Sequence, residues 1–147
     1  MIRPADIGDL PDIVRMGRDF ASVSGAPFPF DAESAITTIR NLIASPSGVV
    51  LVADIGPIVG MTGALIHPHY FNSSHITGQE LFWWIDPPYR GSKIGLEMFH
   101  SLEEWARSSG ANSFSMIALH AQNPEKIGRL YERNGYVPLE NSYTKVL

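Results

Sequence analysis

The sequence predicts an α/β or α+β domain built on a mixed sheet. Three observations lead to this fold class. Apolar residues recur at helical spacing in some segments, β-branched and aromatic runs form strand-like segments between them, and glycine or proline marks most boundaries. With 147 residues, of which 44% are hydrophobic and 18% charged, the chain can bury a substantial core. We expect one domain over residues 1–147.

The first part of the chain is predicted to form one strand and two helices. A short strand over Ile2–Ala5 precedes a helix that Asp6 or Asp9 caps. Residues 22–29 contain glycine and proline and are predicted to form a loop. Asp31 then caps the second helix, whose apolar residues fall on one stripe.

In the middle of the chain the residue pattern changes from helical spacing to one that is typical of strands. The β-branched run Val49–Ala53, a turn at 54–57 and the apolar run Ile58–Ile66 together predict a hairpin. The segment His67–His75 is polar and aromatic, and we expect it to form a loop. A further strand, rich in aromatic residues, is predicted over Ile76–Ile85.

The last part of the chain alternates between helices and strands. One helix follows the loop at Gly91 and ends near Ser108, a strand covers Ser113–Leu119, and another helix covers Pro124–Asn134. We expect a final strand in the residues that follow. The complete order is β-α-α-β-β-β-α-β-α-β, which gives about six strands and four helices.

Composition limits the function classes. The formal net charge is −4 and no basic stripe appears, which argues against nucleic acid as the main partner. The chain has no cysteine, so disulfides, thiolate metal ligands and a cysteine nucleophile are excluded. The N-terminus lacks the apolar core of a signal peptide, and the longest apolar run, Pro57–Ile66, is too short to span a bilayer. We therefore expect a cytoplasmic protein without a membrane partner.

The segment Ile85–Leu96 carries the clearest functional signal, because it follows a strand and opens a helix. Backbone N–H groups at a helix start have no intrahelical partners, and the helix dipole favours negative charge there. Gly91 lets the backbone approach a ligand closely, while Arg90 and Lys93 add positive charge. These features predict a pyrophosphate site. Arg90 could instead form a surface ion pair, for instance with Asp86, and Lys93 could extend into solvent.

Two segments of the chain carry a family resemblance. Residues 85–95 read Ile-Asp-Pro-Pro-Tyr-Arg-Gly-Ser-Lys-Ile-Gly, and residues 127–136 read Ile-Gly-Arg-Leu-Tyr-Glu-Arg-Asn-Gly-Tyr. In this order they resemble the pyrophosphate loop, Q/R-x-x-G-x-G/A, and the late LYE-x-x-GF helix of the GNAT superfamily of acyl-CoA-dependent N-acyltransferases. Lys93 stands where that family has its first glycine. Asn123 lies eight residues before Tyr131, whereas the family asparagine is often seven residues before the tyrosine.

The resemblance implies a mixed, mostly antiparallel central sheet flanked by four helices, with acetyl-CoA as co-substrate and no metal. The pantetheine arm would pair with a strand as an added strand does, and amides at the helix start would hold the pyrophosphate. The residues that the resemblance assigns to the cofactor are Trp83, Trp84, Ile85, Arg90, Gly91, Ser92, Lys93, Ile94, Gly95, Leu96 and Asn123. The implied reaction is aminolysis of a thioester by a primary amine, which needs no protein nucleophile.

Two residues are candidates for the proton transfers of this reaction. Glu80 lies inside an otherwise apolar strand and is predicted to be the general base, with a pKa raised by partial burial. It could instead lie on a solvated strand face or pair with a cation. Tyr131, on the last helix, is predicted to be the general acid for the thiolate. Its alternative is a half-buried aromatic ring with the hydroxyl in water.

The acceptor is a small-molecule or peptide amine whose identity the sequence leaves open. We expect it to enter beside the aromatic segment Phe20–Phe30 and the predicted loop His67–His75, since loops on a rigid scaffold usually determine substrate choice. Polyamines, amino acids, aminoglycoside-like amines and protein amines are all compatible. The histidines of the second loop have no spacing that specifies metal geometry, although one of them could face the acceptor.

Two other functions are compatible with the sequence. A module of the same fold could bind acyl-CoA as a sensor, or serve in assembly, without catalysis. A nucleotide-binding protein unrelated to CoA is the weaker alternative, because the usual nucleotide fingerprints are missing. A homodimer is compatible with the apolar segments Phe82–Trp84 and Tyr143–Leu147, and so is a monomer.

Overall fold

Four helices flank one five-stranded sheet in the computed structural model, which describes residues 1–147. The elements in chain order are β1 (Ile2–Pro4), α1 (Leu10–Ser24), α2 (Ala32–Ala44), β2 (Gly48–Asp54), β3 (Ile58–His69), β4 (Asn72–Ile85), α3 (Ile94–Ser108), β5 (Ser113–Ser115) and α4 (Pro124–Arg133). Short 3₁₀ turns at residues 7–9 and 87–89 lie between β1 and α1 and between β4 and α3. The predicted mixed class and the four helices are confirmed.

The strands follow one another across the sheet in the order β1-β2-β3-β4-β5. The first four are antiparallel neighbours, and β5 runs parallel to β4. The predicted mostly antiparallel, mixed sheet is therefore confirmed. Helices cover both faces, and all residues of β2 from Val49 to Ala53 are accordingly buried.

The predicted count of six strands is wrong by one. Residues 136–147 form no strand, and β5 stops at Ser115 instead of continuing to Leu119. Pairing between β4 and β5 ends at Gln79 and Ser115, and side chains rather than a neighbouring strand hold the chain beyond that point. A strand assignment based on apolar composition cannot detect where two strands separate.

The loop predicted over residues 67–75 is also wrong. β3 and β4 continue to pair through this segment, with Pro68 opposite Ile76, and the chain reverses at Tyr70 and Phe71. This end of the hairpin extends past the ends of β2 and β5. Most of its side chains are therefore exposed, and the segment is polar because it is a projecting hairpin rather than a loop.

Helix boundaries follow their capping residues. Asp6 caps the 3₁₀ turn before α1, and Asp31 caps α2, each through a side-chain oxygen that accepts a backbone N–H. α1 continues to Ser24 and ends at Gly25, whose φ of 79° suits a left-handed helix terminus. Residues 22–24, predicted to be in the loop, are thus helical.

The helices pack on the two faces of the sheet in separate clusters. α1 and α2 cover one face around Ile13, Met16 and Leu42, whereas α3 covers the other around Met98 and Leu102. Burial of each such side chain contributes about 1.5–3 kcal/mol to folding. None of the helices has both the length and the apolar character that crossing a bilayer requires.

A β-bulge in β4 places two consecutive residues, Leu81 and Phe82, on the same face of the sheet. Gly63 of β3 lies opposite Phe82, whereas Ala64 lies opposite Glu80, so Leu81 is the extra residue. Leu81 and Phe82 both pack on the face covered by α1 and α2, while Glu80 shares the other face with Ala64. Glycine is required opposite Phe82, because a Cβ at Gly63 would lie 2.4 Å from the Phe82 Cζ.

Candidate active site

The bulged strand β4 has an open edge over residues 80–85. β5 pairs with β4 only from Thr77 to Gln79, and no other strand lies on that side. The space beside this edge, toward residues 116–123, is called the cleft below; that segment connects β5 to α4 and contacts Glu80 through the Ile117 amide. An unpaired strand edge offers backbone N–H and C=O groups that an extended ligand can bind.

Trp83 and Ile85 direct their backbone groups into this cleft. The amide of Asp86 donates a hydrogen bond to the carbonyl of Val59 in β3 at 2.9 Å. Backbone groups of an antiparallel pair alternate between the two sides, so those of Trp84 face β3 and those of Trp83 and Ile85 face the cleft. Of the three residues predicted to bind the cofactor through their backbone, two are therefore directed toward the open edge.

Arg90 lies at one end of the open edge. Its Nε donates to the carbonyl of Ile85 at 2.8 Å, and its guanidinium carbon lies 4.4 Å from the centre of the Trp84 ring. Its two terminal nitrogens make no hydrogen bond within the protein. The ion pair of Asp86 forms instead with Arg15 at 2.8 Å, and the Trp84 indole also donates to Asp86. Arg90 is thus positioned by an aromatic ring and a carbonyl, with both terminal nitrogens free.

The loop after Arg90 presents a row of unpaired backbone amides. Gly91 has a φ of 80°, which glycine adopts readily and other residues rarely do. Five amides donate to no acceptor within the protein, namely those of Gly91, Ser92, Lys93, Gly95 and Leu96. The Ile94 amide donates to the Ser92 hydroxyl at 3.3 Å. Because free amides at a helix start bind anions, the local geometry suits a phosphate group.

Two side chains predicted to bind the cofactor have partners within the protein. The Lys93 ammonium lies 3.4 Å from Glu97, and 86% of the Lys93 side chain is exposed. Asn123 begins α4 with a φ of 46°, and its side-chain oxygen accepts from the Lys126 amide at 3.3 Å. In the loop at residues 91–96, Lys93 therefore has a free backbone amide, whereas its ammonium group is paired with Glu97. The Asn123 side chain caps α4.

Glu80 is buried at the other end of the open edge. Only 4% of the residue is exposed, and burial raises the pKa of its carboxyl group to about 7. Its Oε2 accepts from the backbone amide of Ile117 at 2.8 Å. The other oxygen, Oε1, has no partner and is not sealed from solvent. The solvated or cation-paired carboxylate considered from the sequence is therefore not what the structure shows.

Tyr131 approaches the same residue from α4. Its hydroxyl donates to the carbonyl of Ile117 at 2.7 Å, and only 7% of the residue is exposed. Burial, followed by the charge of Glu80, raises the pKa of the Tyr131 hydroxyl above its usual value, so this group keeps its proton at neutral pH. Its ring packs in an aromatic group with Phe99 and Tyr136. The hydroxyl is thus held by the protein and does not point into water.

Ile117 is the residue that sequence reasoning missed. Its amide binds Glu80 and its carbonyl binds Tyr131, so both candidate catalytic side chains meet at one peptide segment. A residue that acts through its backbone leaves no signal in its side-chain type. Arg15 was missed too, although its carboxylate neighbours at helical spacing, Asp12 and Asp19, were visible in the sequence.

The histidines of the hairpin lie apart from these groups. The His69 ring stacks on Tyr70 at 4.3 Å, and His75 is hydrogen-bonded to Ser113 at 2.8 Å. His67 contacts the carbonyl of Pro68. No group of three or more histidine or acidic side chains is arranged to hold a metal ion.

A cavity of about 430 Å³ lies on the other face of the bulge. It is enclosed by α1, α2, the loop between them, and β3 and β4. Its aromatic walls come from the chain segment predicted to lie beside the acceptor, and include Phe20, Phe28 and Phe30. Leu81 and Phe82 form the wall on the side of β4. The bulge at Leu81 therefore borders the cavity on one face of the sheet and lies at the start of the open edge.

The open strand edge leads to a row of free amides, a geometry that suits an extended, phosphorylated ligand. The sequence matches the profile of the Acetyltransferase (GNAT) family over residues 15–136. The chain therefore belongs to the GNAT acetyltransferase family. No curated protein matches the sequence.

Solved structures of this family share the fold over the whole chain. A predicted acetyltransferase from Clostridium acetobutylicum with acetyl-CoA is 17% identical, with a TM-score of 0.78 over 99% of this chain and 95% of that chain. The ribosomal-protein-alanine N-acetyltransferase from Brucella melitensis is 19% identical, with a TM-score of 0.74 over 100% of this chain and 99% of that chain. The aminoglycoside 6′-N-acetyltransferase from Acinetobacter haemolyticus has the same four values. At these identities the similarity establishes the fold.

Proposed function

We propose that the protein is an N-acetyltransferase that transfers the acetyl group of acetyl-CoA to a primary amine. The observation that carries this proposal is the open edge of β4. It leads from a buried carboxyl group with a pKa of about 7, at Glu80, to the row of free amides at residues 91–96. Membership of the GNAT family supports the same reaction class.

The cleft has the donor and acceptor groups that acetyl-CoA requires. Residues 80–85 extend over roughly 17 Å at about 3.3 Å per residue, and the amide groups of a pantetheine arm can pair with Trp83 and Ile85 as an added strand does. The pyrophosphate would lie on the free amides of residues 91–96, with the terminal nitrogens of Arg90 beside it. When bound, acetyl-CoA supplies the acetyl group as a thioester.

Glu80 is proposed to remove the proton from the acceptor amine. In the reaction a bond forms between the amine nitrogen and the acetyl carbon, the carbon–sulfur bond breaks, and the amine loses one proton. The free Oε1 of Glu80 can accept that proton directly or through a water molecule. A pKa of about 7 suits this role, because the carboxylate is then a stronger base than an exposed one and is still about half ionised at neutral pH.

Tyr131 is proposed to protonate the departing thiolate. Its raised pKa keeps the proton on the hydroxyl at neutral pH, as a general acid requires. The hydroxyl donates to the Ile117 carbonyl, so it has to turn from that carbonyl to reach the sulfur. The rotation exchanges one hydrogen bond for another and does not require the ring to leave its aromatic neighbours.

A second candidate function follows from the two bonds to Ile117. Glu80 accepts from the Ile117 amide and Tyr131 donates to the Ile117 carbonyl, in a segment that no strand pairs with. Two residues whose role is only to hold this segment in place would make the same bonds. In that case the protein binds acyl-CoA as a sensor or assembly module and does not turn it over. A cytoplasmic location and a homodimer remain predictions for either function.

Two measurements on the purified protein test the proposal. Isothermal titration with acetyl-CoA measures binding, and release of free CoA thiol in the presence of a panel of primary amines measures turnover. We expect binding that weakens as salt increases, because the proposed site would hold phosphate groups beside Arg90, and we expect amine-dependent thiol release. Binding without thiol release from any amine would favour the sensor. Absence of binding would remove both functions.

A further inference from the structure

The cavity between α1 and α2 has mostly apolar walls. Eleven of its sixteen lining residues are hydrophobic, and the polar ones, such as Asp31 and Ser34, lie on the α2 side. Asp31 and Ser34 are hydrogen-bonded to each other at the start of α2. Asp31 Oδ2 accepts both bonds from Ser34, whereas Asp31 Oδ1 has no partner in the protein and the residue is exposed. The aromatic and aliphatic walls nevertheless make up most of the cavity surface.

The cavity lies next to the cleft as well as behind the bulge. Phe20 and Ala21, near the end of α1, line the cavity. The residues that follow in α1 contact the segment across the cleft, since the Gln122 side chain donates to the Val23 carbonyl at 3.2 Å. The end of α1 therefore borders both the cavity and the segment that faces the open edge of β4.

We propose that this cavity binds the apolar substituent of the acceptor, so that the preferred acceptor is a primary amine carrying a bulky aromatic or branched aliphatic group. This inference rests on the proposed acetyl transfer. A cavity of about 430 Å³ is within the size range of small-molecule sites, and its apolar walls gain free energy only from apolar groups. A polyamine or an aminoglycoside would place several charged or hydroxyl groups against these walls, where Asp31 is the only lining carboxylate. Leu81 in the cavity wall directly follows Glu80, and the acceptor amine would reach the Glu80 carboxyl group past the bulge.

The substitution Ala35→Leu fills part of the cavity from its α2 wall. Ala35 lines the cavity and lies within a regular helix turn, so leucine preserves the helix. The matched control is Ala44→Leu, which makes the same change at an exposed position at the end of α2, outside the cavity. Neither residue belongs to the proposed cofactor or proton-transfer groups.

The test compares 2-phenylethylamine with ethylamine and spermidine in the thiol-release assay. We expect kcat/KM for 2-phenylethylamine to exceed that for ethylamine by about 100-fold, because each apolar group that leaves water adds to transition-state binding. Ala35→Leu should lower this ratio by about tenfold, while Ala44→Leu should leave it within about twofold. Equal kcat/KM for the three amines, a preference for spermidine, or an unchanged ratio in Ala35→Leu would overturn the inference and leave acetyl transfer intact.

A binding measurement separates this inference from the proposed function. The probe is 2-phenylethanol, which has the same ring and no amine, titrated into the protein by calorimetry. If no amine is acetylated, the proposed acetyl transfer fails. Saturable binding of 2-phenylethanol that Ala35→Leu weakens and Ala44→Leu does not would still support an apolar ligand in the cavity. No saturable binding would overturn it.

Discussion

The two ends of the open edge of β4 are built in different ways. At the end nearest α3, the free amides and Arg90 come from one continuous stretch, residues 90–96, with a bend fixed by Gly91. At the other end, Glu80, Ile117 and Tyr131 come from β4, the segment after β5, and α4. The first end is local in sequence and exposed, whereas the second is assembled from distant segments and buried.

This difference determines how each end can carry charge. The exposed amides can bind an anion without a buried charge of their own, so no buried charge has to be stabilised at this end in the absence of ligand. The buried end holds a carboxyl group that burial makes reluctant to ionise. We therefore expect substitutions at the buried end to change both rate and stability, and substitutions at the local end to change ligand affinity alone.

The largest expected effect is on the reaction rate of Glu80→Gln. Glutamine keeps an oxygen for the Ile117 amide but cannot accept a proton, so kcat/KM should fall by about 100- to 1,000-fold near neutral pH. In the wild type kcat/KM should rise with pH through about pH 7 and then level off, and the variant should lose that rise. A pH series of thiol release measures both. Glu140→Gln, in the exposed tail, is the control; an unchanged profile in Glu80→Gln would assign the carboxylate a structural role.

The same substitution should stabilise the fold at alkaline pH. The Glu80 carboxyl holds its proton up to about pH 7 in the folded protein, whereas the unfolded chain releases it near the ordinary value of 4.5. The folded state thus binds more protons between these values, and stability falls as pH rises through this window. Glu80→Gln removes this loss, which is on the order of 3 kcal/mol at pH 8.

Urea unfolding at pH 4.5 and at pH 8 measures this difference. The free energy of unfolding of the wild type should decrease between the two pH values more than that of Glu80→Gln does. If the free energy of unfolding changes equally in the two proteins, ionisation of the Glu80 carboxyl group does not destabilise the folded state. The contrast between the buried and the local end would then be wrong.

Tyr131→Phe should have the next largest effect. Loss of the hydroxyl removes the proposed acid and leaves the Ile117 carbonyl without its donor, so we expect kcat to fall by about 10- to 100-fold and stability to fall by about 1 kcal/mol. The affinity for acetyl-CoA should remain nearly the same. Tyr143→Phe, at a residue that is 94% exposed, is the matched control. Unchanged kcat across the pH range would remove Tyr131 as the acid while leaving its hydrogen bond in place.

The smallest effects are expected at the local end. Arg90→Ala removes a side chain whose terminal nitrogens are free, and we expect it to weaken acetyl-CoA binding by about tenfold at low salt. Lys93→Ala should weaken it by less than about threefold, because the ammonium points to solvent beside Glu97. Isothermal titration at two salt concentrations measures both affinities. An equal loss in the two variants would mean that general positive charge, rather than placement, determines binding.

The sequence by itself determined the elements and the local end of the site. Periodicity and capping residues predicted four helices, the strands of the sheet, and the loop at Gly91, because each depends on neighbours within a few residues. The family match over residues 15–136 then confirmed the resemblance that two short motifs carried. Two predictions were wrong because composition does not show which strands pair. The polar residues 67–75 belong to the paired end of a hairpin, and the residues after α4 form no strand.

Only the tertiary structure decided the buried end. The bulge at Leu81 reverses which face Glu80 occupies, and no local pattern in the sequence marks where two strands lose register. The meeting of Glu80 and Tyr131 at Ile117 depends on contacts between residues far apart in the chain and on backbone groups that have no side-chain signature. Burial, which determines the pKa of Glu80, is a property of the packed domain as a whole and exists only once these segments have assembled.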